Sequence, residues 1–437
     1  MNNSTPSLPS AGLLKKNLEV LDKRWPDIYQ AINRTTKRPS IAVSRDTPVP
    51  TLIIDGIHLS SGYDRVKEAQ LQSLLVPDKS NKAWVYGVGL GDLPRTLLER
   101  NKIEQLFVVI MNLGLVKQSF SSLDHTDWLS DPRVNLLTAT DQIDVHFPFA
   151  TTPPCLELAD NSSASLRDLI YLELATPSIS KKHSPDNRHL IERLAENRNF
   201  MQMDGDVTSL FGSAIGETII IAAAGPTLAK HYEWIRQQQE KHLLIAVDAA
   251  LRPLHKAGIN PDIVVTIDGH PKLIYTFFND LDLTQYEQRP LIYFPIVHKN
   301  VLNLWPGPRF VAYADLPLYR EYINKFPKGI LFASGGVLHP ATDLAIKMGA
   351  TKVVLLGADY AFPNNQTHVN NCSIAQKREA GLNFWVLSGR GERIPTAPNY
   401  RGALRDLERY IAYHPEVTFI NGSREGAFIK NTTFLEK

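Results

Sequence analysis

The sequence predicts an α/β protein: a Rossmann-like, mostly parallel sheet in the C-terminal domain, preceded by a smaller degenerate Rossmann-like domain and a helical connector. Three observations carry this expectation. From residue 217 onward, short apolar runs of β type alternate with helical patterns, the order that builds a parallel sheet covered on both faces. A shorter strand, glycine turn, helix, strand unit stands at 83–110. The 437 residues, 43% hydrophobic and 21% charged, have the balance of a globular chain long enough for two or three domains.

Residues 1–12 are rich in Ser, Pro and Asn, and 13–32 reads as an amphipathic helix with Leu18, Leu21 and Ile28 on one face and an interruption at Pro26. Strand-like runs follow at 51–55 and 83–87. The second enters Gly87-Val-Gly-Leu-Gly-Asp92, a helix ending near Arg100, and a strand at 105–110. These make a first domain, 1–150. Residues 151–215 alternate turn-rich polar stretches (Pro153-Pro154, Asn161 to Ser163, 178–187) with helical patches at 166–175 and 190–200, and read as a connector. The last domain, 216–437, has expected strands at 218–223, 243–248, 262–268, 290–297, 309–315, 329–333, 352–357 and 416–420. Helices are expected at 228–241, 338–348 and 400–413.

Lys+Arg 47 against Asp+Glu 45 leaves a net charge of +2, so no bulk field favours a nucleic-acid partner. The longest apolar runs, at 219–228 and 329–342, are shorter than the ~18 residues of a spanning helix, and no apolar segment follows a basic start. A soluble, cytoplasmic protein without a membrane span is expected. Two cysteines, Cys155 and Cys372, make no disulfide framework, and no CxxC or HExxH spacing offers a metal site.

In open α/β sheets ligands bind beyond the carboxyl ends of the strands. Here those ends carry Ala224-Gly-Pro-Thr227, Asp248, Asp268-Gly-His270, Ser334-Gly-Gly336 and Asp359-Tyr360. At Ala224, Gly225, Pro226 and Thr227 a buried strand ends in small residues. Gly225 is expected to supply an unusual backbone angle, Thr227 a helix cap, and the first amides an anion site. The competing reading is a tight turn with no ligand. Ser334, Gly335 and Gly336 repeat the pattern before the next helix, where a plain glycine-rich turn is the alternative. Asp248 and Asp268 end neighbouring strands, where carboxylates bind ribose hydroxyls, orient an acceptor or serve as caps and loop ion pairs. Asp262, after Pro261, serves the turn. His368, in the polar stretch after Asp359, is the best-placed base near neutral pH, with His270 and His339 as rivals. At the Gly87 turn, the strand that follows ends Val-Ile-Met-Asn112 without the acid that grips a ribose, so the turn is expected to persist without a dinucleotide.

The run from Glu217 to about Lys430 resembles the motility accessory factor (Maf) family of flagellin glycosyltransferases, whose central domain is similar to sialyltransferases and belongs with the MptE-like pterin diphosphokinases. The matching residues are Ala-Gly-Pro-Thr-Leu at 224–228, Ala246 to Leu254, Ala257 to Asp268, Ala333-Ser-Gly-Gly336, Leu355 to Phe362 with His368, and Phe419 to Ala427. The resemblance implies a CMP-activated nonulosonic acid, pseudaminic or legionaminic, as donor substrate with no resident cofactor, and a Ser or Thr of flagellin as acceptor. Ala224 to Thr227 and Ser334 to Gly336 would then hold the nucleotide. Asp248 and Asp268 would line the donor pocket, Asp359 would support its wall, and His368 would meet the acceptor hydroxyl. The family's glycine two residues before Gly225 is Ala223 here, its Ser is Thr227, and its usual Gln stands as Ala358. Two alternatives remain at this stage. One is ATP- and magnesium-dependent phosphotransfer of the pterin diphosphokinase type, for which one Asp per strand end is sparse. The other is a non-catalytic nucleotide-binding factor.

Overall fold

The computed structural model describes residues 5–36, 39–44, 46–141, 144–182, 187–269, 277–278, 281–377 and 384–436. The chain divides into two compact units, Met1–Ile170 and Tyr171–Lys437, and the division falls within the helix Ala164–Lys182.

In the first unit, β1 (Ile41–Val43), β2 (Leu52–Ile54) and β3 (Ile57–His58) form a small antiparallel sheet. The strands β4 (Lys82–Tyr86), β5 (Gln105–Ile110), β6 (Val134–Thr138) and β7 (Phe149–Thr151) form a parallel sheet in the order β6-β5-β4-β7. The expected N-terminal helix breaks where proline predicted. Ala11–Arg24 ends at Trp25 (φ −140°), and Pro26 opens Pro26–Arg34, where its missing N–H costs nothing.

The second unit is built on one nine-stranded parallel sheet. Its strands are β8 (Gly205–Asp206), β9 (Thr218–Ala222), β10 (Leu243–Val247), β11 (Ile263–Thr266), β12 (Leu291–Tyr293), β13 (Arg309–Val311) and β14 (Lys352–Leu356). After the antiparallel pair β15 (Trp385–Leu387) and β16 (Arg393–Pro395) come β17 (Thr418–Asn421) and β18 (Thr433–Phe434). The order is β18-β17-β14-β9-β10-β11-β12-β13-β8. β9 is central, pairing Ile219 with Leu243 on one side and Val353 on the other. Its Ile-Ile-Ile-Ala run is wholly buried, as a strand covered on both faces must be.

One expected strand is absent. Residues 329–333 pair only at Ile330, in a bridge to Tyr313. The place beside β13 is held by β8, through Phe310 with Gly205 and Val311 with Asp206. The N–H of Phe332 is drawn instead to Asp343 Oδ2 at 2.6 Å, a carboxylate that ends the ladder. Among the described residues no helix is long and apolar enough to cross a membrane.

Candidate functional site at the sheet's switch point

The chain leaves β9 for β10 on one side and returns to β9's other side only at β14, so the strand order reverses between β9 and β14. The loops following these two strands are laced together. Ala223 N–H donates to Leu356 O at 2.8 Å, and Gly225 N–H to Gly357 O at 2.9 Å. Thr227 donates twice to Asp359, from its amide to Oδ2 at 2.8 Å and from its hydroxyl to Oδ1 at 2.6 Å.

Two expectations for this turn need correction. Gly225 has an ordinary φ of −66°; it is required for space, because a Cβ there would stand 2.3 Å from Gly357 O and 2.5 Å from Asp359 Oδ2. The amides after it are not an open anion site. Thr227 N–H already holds a carboxylate, and Leu228 N–H is bonded to Gly225 O. The negative charge that such a terminus attracts is supplied from within the chain, by Asp359. Asp359 is buried, which pushes its pKa up to about 6 against the lowering effect of Thr227. A Cβ on Gly426 would lie 2.4 Å from Asp359 Oδ1, and Ala427 N–H donates to Asp359 O at 2.8 Å. Thus the Asn421-to-Ala427 turn wraps Asp359 as the turn at Gly225 does.

At the end of β10, Asp248 is buried, its Oδ2 accepting from the Thr266 hydroxyl at 2.8 Å and Oδ1 from Ala249 N–H at 2.7 Å. Burial, aided by the nearby charge of Asp268, half-buried just past β11, raises its pKa to about 7 against the lowering effect of its hydrogen bonds. The two strand-end aspartates are therefore brought together, as their neighbouring strands required.

His368 lies in the loop that follows β14. Val369 N–H donates to Ala224 O at 2.9 Å, which ties the loop to the end of β9. The same loop passes β10, since Cys372 feels the charge of Asp248. The imidazole has Nδ1 3.1 Å from Thr367 Oγ1 and Nε2 3.5 Å from the Tyr400 hydroxyl. Desolvation lowers its pKa to about 4, so at neutral pH the ring is uncharged with a lone pair available. Of its rivals, His339 is fully buried, its Nε2 2.9 Å from Ala403 O, and is a core residue. His270 lies outside the described residues.

Ser334 donates its hydroxyl to Asp406 Oδ2, while Gly335 (φ +69°) packs on Ala403 and Gly336 is open. Tyr400, Ala403 and Asp406 stand at three-residue spacing on the helix Pro398–Ala412, so one helix face supports both the His368 loop and the Ser334 turn. The sequence predicts a helix here but no role for this face, and the 400/403/406 spacing is the signal that marks it. Among the described residues no three His, Cys, Asp or Glu gather where they could hold a metal ion.

The glycine turn of the first unit is closed. Gly87, Gly89 and Gly91 all have positive φ. Cβ atoms on them would meet Cys155 at 2.4 Å, Thr152 at 3.0 Å, and Arg95, His125 and Trp128 at 2.8 Å. Gly89 N–H is taken by Cys155 Sγ at 3.2 Å. Side chains of the chain itself thus stand against all three glycines.

A family model described as 6-hydroxymethylpterin diphosphokinase MptE-like matches residues 188–365. The chain is 30% identical over 147 residues to a 6-hydroxymethyl-7,8-dihydropterin pyrophosphokinase of Methanothermobacter thermautotrophicus, covering 32% of this chain and 56% of that protein. It is 28% identical over 171 residues to the Pyrococcus furiosus protein of the same name, covering 38% and 64%. It thus spans less than two thirds of the length of either relative. Among solved structures, a Maf glycosyltransferase from Magnetospirillum magneticum AMB-1 aligns over 98% of this chain and 75% of its own, at 18% identity and a TM-score of 0.49. The superfamily whose model matches is the MptE-like one that the sequence resemblance implied.

Proposed function

We propose that this chain is a glycosyltransferase that moves a pseudaminic- or legionaminic-type nonulosonic acid from its CMP-activated form onto a Ser or Thr hydroxyl of flagellin, in the cytoplasm. The observation that carries the reading is the tie between Val369 and Ala224. It supports the reading because it ties the loop that carries His368, uncharged at neutral pH, to the small-residue end of β9, where open α/β sheets take ligands.

In this reading the bond between the sugar's anomeric carbon and the CMP phosphate oxygen breaks, and the acceptor oxygen takes that carbon. The hydroxyl proton passes to the unprotonated ring nitrogen of His368. Positive charge develops on the sugar as CMP leaves, and Asp268 is the carboxylate assigned to face it. Ala224, Gly225, Pro226 and the Ser334-Gly335-Gly336 turn would flank the nucleotide, with Asp248 lining the donor pocket. Thr227 and Asp359 act from behind, holding the turn's shape. The donor is a substrate, and no resident cofactor or metal enters the scheme.

The test is incubation with CMP-pseudaminic or CMP-legionaminic acid and purified flagellin, followed by intact-protein mass. Addition of one or more sugar masses by the wild type, and none by His368→Ala, is the expected result. Failure to modify flagellin with either donor would remove the acceptor and donor assignments together. A second reading is favoured by the two archaeal relatives: transfer of diphosphate from ATP to a hydroxymethylpterin. Calorimetric titration with CMP against ATP plus magnesium separates the two, and a preference for ATP would move the pterin reading to the front.

A further inference from the structure

The first unit contains a cavity of about 540 Å³ at the carboxyl ends of β5 and β6, one strand away from the closed glycine turn. Its size is within the range of small-molecule sites. The floor is apolar and buried, formed by Ile110, Met111, Leu136 and Ala139. The end of β5 lacks a carboxylate in sequence, yet the fold supplies one. Residues 158–160 are zipped onto that strand end: Asn112 Nδ2 donates to Leu158 O at 2.6 Å and Asp160 N–H to Met111 O at 2.9 Å. The Asp160 carboxylate thereby lines the cavity beside Leu113, whose N–H it accepts at 3.3 Å.

We infer that this cavity binds a neutral ribonucleoside, with the base on the apolar floor and the ribose diol on Asp160. An acid at the end of the second strand is what a ribose requires in folds of this topology. Here it arrives from a distant segment. Of the glycine-turn amides, Gly89 N–H is taken by Cys155 Sγ, Gly87 N–H by Val109 O and Gly91 N–H by Val88 O, and the first turn of the helix Leu113–Ser122 is already capped by Asn112 and approached by Asp160. Asp27, also lining the cavity, adds a second negative charge in the first turn of Pro26–Arg34. Arg24 also lines the cavity, but its Nη1 donates to Leu129 O and Asp131 O and its Nη2 to Val134 O. Asp27 and Asp160 are thus the groups left to accept from a ligand, and they favour hydroxyl donors over a phosphate monoester.

The experiment is calorimetric titration of the full chain with adenosine, guanosine, cytidine and uridine, each compared with its 2′-deoxy form and its 5′-monophosphate. At least one ribonucleoside should bind, with tenfold or greater losses for its deoxy form and its monophosphate. Asp160→Asn should weaken that binding at least tenfold, and Ser162→Trp, at the exposed rim, should block it. Unchanged thermal melts would show that both variants fold. No ribonucleoside binding, binding untouched by both variants, or a monophosphate as tight as its nucleoside would each overturn the inference. None of these outcomes bears on the transfer reaction in the second unit.

Discussion

Asp359 grips Thr227 across 132 residues of sequence, one carboxylate oxygen on the amide at 2.8 Å and the other on the hydroxyl at 2.6 Å. The two loops that flank the switch point are thus a single hydrogen-bonded unit. Thr227→Val, which keeps the shape and the amide but deletes the hydroxyl, should cost about 1–3 kcal/mol because the buried carboxylate loses a donor. Urea unfolding measures it. An unchanged midpoint would mean that the carboxylate draws its stability from elsewhere.

Space at the same turn gives a sharper contrast. Gly225→Ala places a Cβ 2.3 Å from a carbonyl at an allowed backbone angle, so its cost is purely steric, on the order of 1–3 kcal/mol or more. Gly336→Ala meets nothing within 4 Å and should be nearly neutral in thermal melts. Equal melting temperatures for the two variants would contradict the packing described.

Asp248 and Asp359 give a pH dependence whose sign is fixed. Both are held above the ordinary carboxylate value of 3.8, Asp248 to about 7 and Asp359 to about 6. The folded chain then binds their protons more tightly than the unfolded chain does. Their contribution is full below about pH 4 and is lost as pH rises through 6 and 7. Every tenfold difference in proton affinity between the folded and unfolded chain is worth about 1.4 kcal/mol. Asp248→Asn, which stays neutral, should flatten the fall in stability between pH 4.5 and 7.5, measured by denaturant unfolding at each pH. A parallel fall in variant and wild type would show that Asp248 does not titrate in this window.

His368→Ala should lower sugar transfer by about 10²–10⁴-fold while leaving CMP affinity within a factor of two. With its pKa lowered to about 4, the acid limb of the wild-type rate profile should fall near pH 4 and be flat above it on that side. Tyr400→Phe removes the hydroxyl 3.5 Å from Nε2 and should shift that limb without abolishing transfer. A single-turnover series across pH reads all three. An acid limb that persists unchanged in His368→Ala would assign it to another group.

Ser334→Ala and Asp406→Ala break the same hydrogen bond from its two ends. If the Ser334 turn flanks the nucleotide, both should weaken CMP binding by a similar factor, read by calorimetry. Loss in Ser334→Ala alone would mean that the hydroxyl itself contacts the nucleotide.

The parallel sheet was legible because a strand buried on both faces must be apolar throughout. The Ile-Ile-Ile-Ala run at β9 and the Val-Val-Leu-Leu run at β14 can hardly be anything else. The strand-end positions of Asp248, Asp268 and Asp359 followed from the same pattern, since polarity begins where the sheet stops. What sequence could not decide is which of these groups would turn inward. Asp359 and Thr227 look alike as ligand contacts and as each other's partners, and only proximity across 132 residues made them partners. Residues 329–333 have the composition of a strand, yet β8 occupies the neighbouring edge and the pairing is reduced to one bridge. Asp160 illustrates the converse, a carboxylate unremarkable in sequence that the fold delivers to the end of β5. Local periodicity records what each segment must bury, whereas the partners of a polar group are set by distances between segments, which no local pattern contains.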